Sequence, residues 1–126
     1  MIQLNAANLT ERELELLQII ANNLGTHRVV DFLLNEKLAF WKLEDVDSLF
    51  ITAIEDFPLA KKFTIVAMAG TGILTKGKKV IEFFKQQARE QDCTVFETGV
   101  KNPRLVKIYV KYFKLKPTGV LLRGEL

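Results

Sequence analysis

A change of hydrophobic period near residue 77 constrains this chain more than any other feature. Lys62-Phe63-Thr64-Ile65-Val66-Ala67-Met68-Ala69 is a run of β-formers that ends in Gly70-Thr71-Gly72. From Gly77 onward, Val80, Ile81, Phe84 and Ala88 take one helix face, while Glu82, Lys85, Gln86, Arg89 and Glu90 take the other. Thr94-Val95-Phe96-Glu97-Thr98 then returns to a strand-like pattern and reaches Gly99. A strand, one amphipathic helix and a second strand pack as a crossover unit, which makes the two strands parallel and the connection right-handed.

The rest of the chain fits around that unit. Leu38-Ala39-Phe40-Trp41-Lys42-Leu43 and Ser48-Leu49-Phe50-Ile51-Thr52-Ala53-Ile54 read as strands joined by the acidic turn Glu44–Asp47. Connections this short predict an antiparallel meander, and hence a mixed sheet. Thr10-Glu11-Arg12-Glu13 is a capping box ahead of Leu14, Leu17, Ile20, Ala21 and Leu24, with Gly25 as a left-handed stop. Thr26 is read as the cap of a second, shorter helix carrying Val29, Val30, Leu33 and Leu34, which ends near Asn35. Asn102-Pro103 opens another helix, with Leu105, Val106, Tyr109, Tyr112 and Phe113 on its apolar side. Thr118–Arg123 reads as a last strand. The expected order is α-α-β-β-β-α-β-α-β in one α/β domain over residues 1–126. Its sheet is expected to be mixed and mostly antiparallel, with a central parallel pair flanked by helices.

Composition removes several classes of function. With 126 residues, 48% apolar and 26% charged, the chain supports one hydrophobic core. No run reaches the roughly 18–20 apolar residues of a membrane span, and Met1–Asn5 carries no signal-peptide pattern, so a cytoplasmic location is expected. Cys93 and His27 each stand alone, which argues against a disulfide, a zinc site and a Cys–His nucleophile, and no metal is expected. Cys93 is read as a small buried apolar residue and Trp41 as core.

The charge is asymmetric. Residues 1–75 hold six Lys/Arg against ten Asp/Glu, whereas residues 76–116 hold eleven against four. That polarity suits an anionic partner or a solvated face of lysines. Arg104, Lys107, Lys111 and Lys114, flanked by Lys101 and Lys116, line one helix face. The stripe is compatible with nucleic-acid phosphates. It is equally the polar face of an amphipathic helix, and no nucleic-acid-binding motif accompanies it.

Two segments together resemble a known family. Gly77-Lys78-Lys79-Val80-Ile81-Glu82-Phe83-Phe84, continuing through Gln87-Ala88-Arg89-Glu90-Gln91-Asp92-Cys93, is similar to the long helix of the Gcn5-related N-acetyltransferases (GNAT) and the turn after it. Asn102-Pro103-Arg104-Leu105-Val106-Lys107-Ile108-Tyr109-Val110-Lys111-Tyr112-Phe113 is similar to that family's second helical motif. The resemblance covers residues 62–115 and implies a GNAT-like acyl-CoA N-acyltransferase fold with acetyl-CoA as cosubstrate and a primary amine as acceptor.

The resemblance also implies site residues. The pyrophosphate would sit where the long helix begins, at Lys76, Gly77, Lys78 and Lys79 beyond Gly70 and Gly72, and a helix N-terminus is a ready anion site. The pantetheine arm would lie between splayed strands around Val66–Ala69, through the backbone of Val66 and Met68, and around Phe96–Thr98. Asn102 corresponds to the cofactor-contacting asparagine, and Tyr109 to the tyrosine that protonates the departing thiolate. Glu55 and Glu97 are candidate general bases or solvent-facing carboxylates. The turn departs from the family's small-residue pattern, with Lys79 in place of the second glycine and Leu74 in place of Gln/Arg. No glycine precedes Phe113. Beside the acetyltransferase therefore stands a second reading: a catalytically inactive interaction protein that keeps the fold, in the style of GNAT-like proteins of tailed bacteriophages.

Overall fold

The β-rich middle of the chain folds back on itself twice, and the helices before and after it cover the two faces that result. The computed structural model describes residues 1–25, 28–99, 103–112 and 114–117. A five-stranded sheet is built from β1 (Ile2–Leu4), β2 (Leu38–Lys42), β3 (Ser48–Phe57), β4 (Ala60–Gly70) and β5 (Val95–Thr98), side by side in that order. The first three pairings are antiparallel, and β4–β5 is parallel. Four helices complete the described fold: α1 (Glu11–Leu24), α2 (Val29–Leu33), α3 (Gly72–Glu90) and α4 (Pro103–Tyr112). The mixed α/β architecture expected from the sequence is the one observed, with α3 as the crossover between the parallel strands.

Helix α1 is held by the chemistry its ends carry. Thr10 Oγ1 accepts from the Glu13 N–H at 3.2 Å, and Glu13 Oε1 accepts from the Thr10 N–H at 2.9 Å, completing the capping box. Gly25, at φ 79°, closes α1 in the left-handed conformation. Arg12 then ties α1 to the β2–β3 turn, donating to both Asp47 carboxylate oxygens at 3.0 and 2.7 Å. That guanidinium holds the Asp47 carboxyl below its ordinary pKa.

Two cores lie on opposite faces of the sheet. One contains Leu16, Leu17 and Ile20 of α1 with Phe40, Leu49 and Ile51. The other contains Val80, Ile81, Phe84 and Ala88 of α3 and Tyr109 of α4 with Trp41, Phe50, Phe63 and Ile65. Phe84 is its hub, with edge contacts to Trp41 and Phe50 at ring-centroid distances of 5.6 and 5.8 Å. The Trp41 indole N–H is satisfied by Thr52 Oγ1 at 2.9 Å, so the core placement of Trp41 leaves no buried donor unpaired.

Several elements differ from the sequence expectation. β1 was not foreseen, and α2 stops at Leu33. Leu16 is buried in α1, while Leu14 is 38% exposed. α3 begins at Gly72 rather than Gly77, because Gly72 is pressed against β3. A Cβ there would stand 2.9 Å from Phe50 Cζ and 3.0 Å from Ser48 Cβ. Thr26, His27, Lys101, Asn102, Phe113 and the expected last strand, residues 118–123, lie outside the described residues.

Candidate functional site

Among the described residues the parallel pair β4–β5 is zipped for four rungs. Lys62, Phe63, Thr64 and Ile65 pair with Val95, Phe96, Glu97 and Thr98. β5 ends at Thr98, whereas β4 runs on to Gly70. The stretch 66–70 therefore extends past the ladder, its outer backbone groups without a β5 partner among the described residues.

The last of these rungs lies next to a bulge. Ile51 pairs with Ala67 and Thr52 with Ile65, so Val66 is an extra residue in β4 with no counterpart in β3. Alternation along the strand inverts there. Phe63 and Ile65 face the α3 core, Val66 and Ala67 both lie against the α1 core, and Met68 returns to the α3 side. Without the bulge, Met68 would point away from α3 and α4.

The inversion brings two sequence-derived candidates together. Tyr109, 5% exposed on α4, donates its hydroxyl to Met68 Sδ at 3.7 Å. Burial raises the Tyr109 pKa above its ordinary 10.0, which keeps the phenol protonated at neutral pH. A thioether is a weak acceptor, so this proton is held loosely and in place.

The turn after β4 is organised differently from the expectation. Gly70 has φ 88°, and a Cβ on it would collide with the Asp47 carbonyl oxygen. The neighbouring Thr71 N–H donates to that same oxygen at 3.0 Å. Gly70 and Gly72 are thus required by packing against the β2–β3 turn and β3. Helical geometry breaks at Lys76, at φ −132° and ψ 25°, and resumes at Gly77. Gly77 is buried, while Lys76, Lys78 and Lys79 are exposed around this restart. The N–H groups of a helix's first turn have no intrahelical acceptor and form its positive end.

Other candidates fall elsewhere. Phe96 and Glu97 belong to the zipped rungs, paired with Phe63 and Thr64, which corrects their expected place opposite Val66–Ala69. Glu97 lies across from Thr64 on the α1 side of the sheet, its carboxylate 3.2 Å from Lys62 Nζ. Glu55 pairs with Lys62 across β3–β4 and is exposed. Cys93 is half-buried, and burial pushes its thiol pKa up, so it stays protonated and unreactive. Lys107, Lys111, Lys114 and Lys116 are exposed. Among the described residues no group of His, Cys, Asp and Glu is placed to hold a metal ion, and no helix is long and apolar enough to cross a membrane.

Sequence reading missed the bulge at Val66 and a buried hydroxyl at Thr98. The run Ile65–Ala69 is apolar toward both faces, so it shows no break in alternation that would give the bulge away.

No protein-family model and no curated protein sequence matches the chain. Solved structures do. A ribosomal-protein-alanine N-acetyltransferase from Brucella melitensis biovar Abortus 2308 superposes with a TM-score of 0.70 at 12% identity, covering 98% of this chain and 98% of that one. A transcriptional regulator from Bacillus halodurans C-125 gives 0.68 at 12% identity, covering 94% and 96%. The aminoglycoside N-acetyltransferase AAC(6')-Iy in complex with CoA gives 0.66 at 13% identity, covering 98% and 91%. At such identities the likeness is one of fold.

Proposed function

We propose that this chain, whose fold is that of the GNAT acetyltransferases, is an acetyl-CoA-dependent N-acetyltransferase acting on a primary amine. The observation that carries the reading is the end of the described β4–β5 ladder beside the Val66 bulge, with the buried Tyr109 hydroxyl donating to Met68 just beyond it. The solved structures of similar fold include acetyltransferases, one of them in complex with CoA.

Acetyl-CoA supplies an activated acyl thioester, and the chain's residues do the rest. The backbone edge at Val66–Ala69, beyond the described β4–β5 ladder, orients an extended arm by strand-like hydrogen bonds. The restart of α3 at Gly77, with Lys76, Lys78 and Lys79 around it, offers positive charge to a diphosphate. Lysine at position 79 makes this recognition more a matter of side-chain charge than of close backbone approach. In the transfer a C–N bond forms and the C–S bond breaks. Tyr109 Oη gives its proton to the leaving sulfur, and the amine nitrogen gives up its own to water. Residues from α1, α2 and the α1 side of the sheet would set the acceptor.

Thermal melting tests the reading. Millimolar acetyl-CoA is expected to raise the melting temperature, because a ligand at about 100 times its Kd stabilises the native state by about 2.7 kcal/mol. An unchanged melting temperature would contradict the assignment and leave the non-catalytic interaction protein standing.

A further inference from the structure

We infer that the Thr98 hydroxyl is a ligand-binding group of the β4–β5 slot, donating a hydrogen bond to a carbonyl oxygen of the acyl-pantetheine arm. The inference rests on the function proposed above and deepens it by naming a residue that recognises the arm through its side chain. Thr98 Oγ1 is buried and has no hydrogen-bond partner among the described residues. An unsatisfied buried hydroxyl is costly, and native structures keep few of them. Packing alone does not call for the hydroxyl, because valine has nearly the same shape and β-propensity without the polar atom.

Position supplies the ligand. Thr98 is the final residue of β5 and forms the last rung of the parallel ladder with Ile65, one residue before the bulge. Phe96 stacks on Phe63 on the α3 side of the sheet, with ring centroids 5.9 Å apart. Alternation then puts Thr98 on that same side, shared with Met68 and Tyr109. An orphaned hydroxyl thus stands at the last described rung of the ladder, on the face that carries the protonated phenol. Thr64 makes a natural control. Its Oγ1 is also buried and unpartnered among the described residues, but Thr64 faces the opposite side of the sheet, across from Glu97.

The test measures melting of the free protein and CoA affinity by calorimetry for wild type, Thr98→Val, Thr98→Ser and Thr64→Val. Thr98→Val is expected to melt higher than wild type and to bind CoA about tenfold more weakly, the worth of one hydrogen bond. Thr98→Ser should keep wild-type affinity, and Thr64→Val should melt higher with affinity unchanged. Thr98→Ala gives the same affinity readout should valine fold poorly. Wild-type affinity in both Thr98→Val and Thr98→Ala would overturn the inference and leave the acetyltransferase reading intact, as would an equal loss in Thr64→Val. Absence of CoA binding by the wild-type protein would overturn both.

Discussion

Tyr109 sits in the α3-side core with its hydroxyl on a sulfur, and both facts bear on how it behaves with pH. Desolvation of the phenolate places its folded-state pKa above the ordinary 10.0. The native state therefore keeps a proton that the unfolded chain has begun to lose. The stability this contributes is fully present below about pH 10 and is lost as pH rises through the folded value. Denaturant unfolding at pH 8 and pH 11 should show an alkaline loss in the wild type that is smaller in Tyr109→Phe. An identical loss in both would mean that the phenol is not desolvated as described. The same variant separates acid catalysis from binding. Turnover should fall by about a hundredfold or more, with CoA affinity unchanged. Loss of CoA affinity in that variant would instead mark Tyr109 as part of the binding surface.

Among the elements, the β4–α3 turn shows how a glycine can be mistaken for a ligand-binding feature. Gly70 combines a positive φ with the nearness of the Asp47 carbonyl, and Asp47 in turn holds Arg12 of α1. Gly70→Ala should destabilise by at least about 1–2 kcal/mol from backbone strain alone, with further cost from displacing Asp47. Gly99→Ala, where an added Cβ meets nothing within 4 Å, should stay within about 0.5 kcal/mol of wild type. Equal effects in chemical denaturation would refute this account of the turn.

The same elements show what could be read from the residues. Val80, Ile81, Phe84 and Ala88 announced the buried face of α3, and all four are buried. The capping box at Thr10 and Glu13 marked where α1 begins, because its chemistry is local. The burial of Leu16 rather than Leu14 was not legible. Both lie within the same helical turn, and only the packing of α1 on β3 and β4 chooses between them. β1 has three residues, too few to show a period, and it exists by pairing with β2. Tyr109 and Met68 were each legible as candidates. Their meeting was not, since it depends on one inserted residue in β4.

At the scale of the whole molecule, the sheet separates two cores, and the candidate slot lies at the end of the described β4–β5 ladder. The acidic half of the sequence includes α1 and α2, while Lys76, Lys78 and Lys79 of α3 and Lys107 and Lys111 of α4 are exposed. This polarity suits an anionic cosubstrate bound on the α3 side and an amine presented from the α1 side. The functional reading depends on the stretch of β4 beyond the last described rung, Ile65–Thr98, being the part that binds the cosubstrate. Titration of isotope-labelled protein with CoA, followed by backbone amide NMR, addresses it residue by residue. The account predicts saturable shifts concentrated at Val66–Ala69 and at Lys76–Lys79, with the zipped rungs Lys62–Thr64 little affected. Shifts absent from Val66–Ala69 at saturating CoA would contradict it.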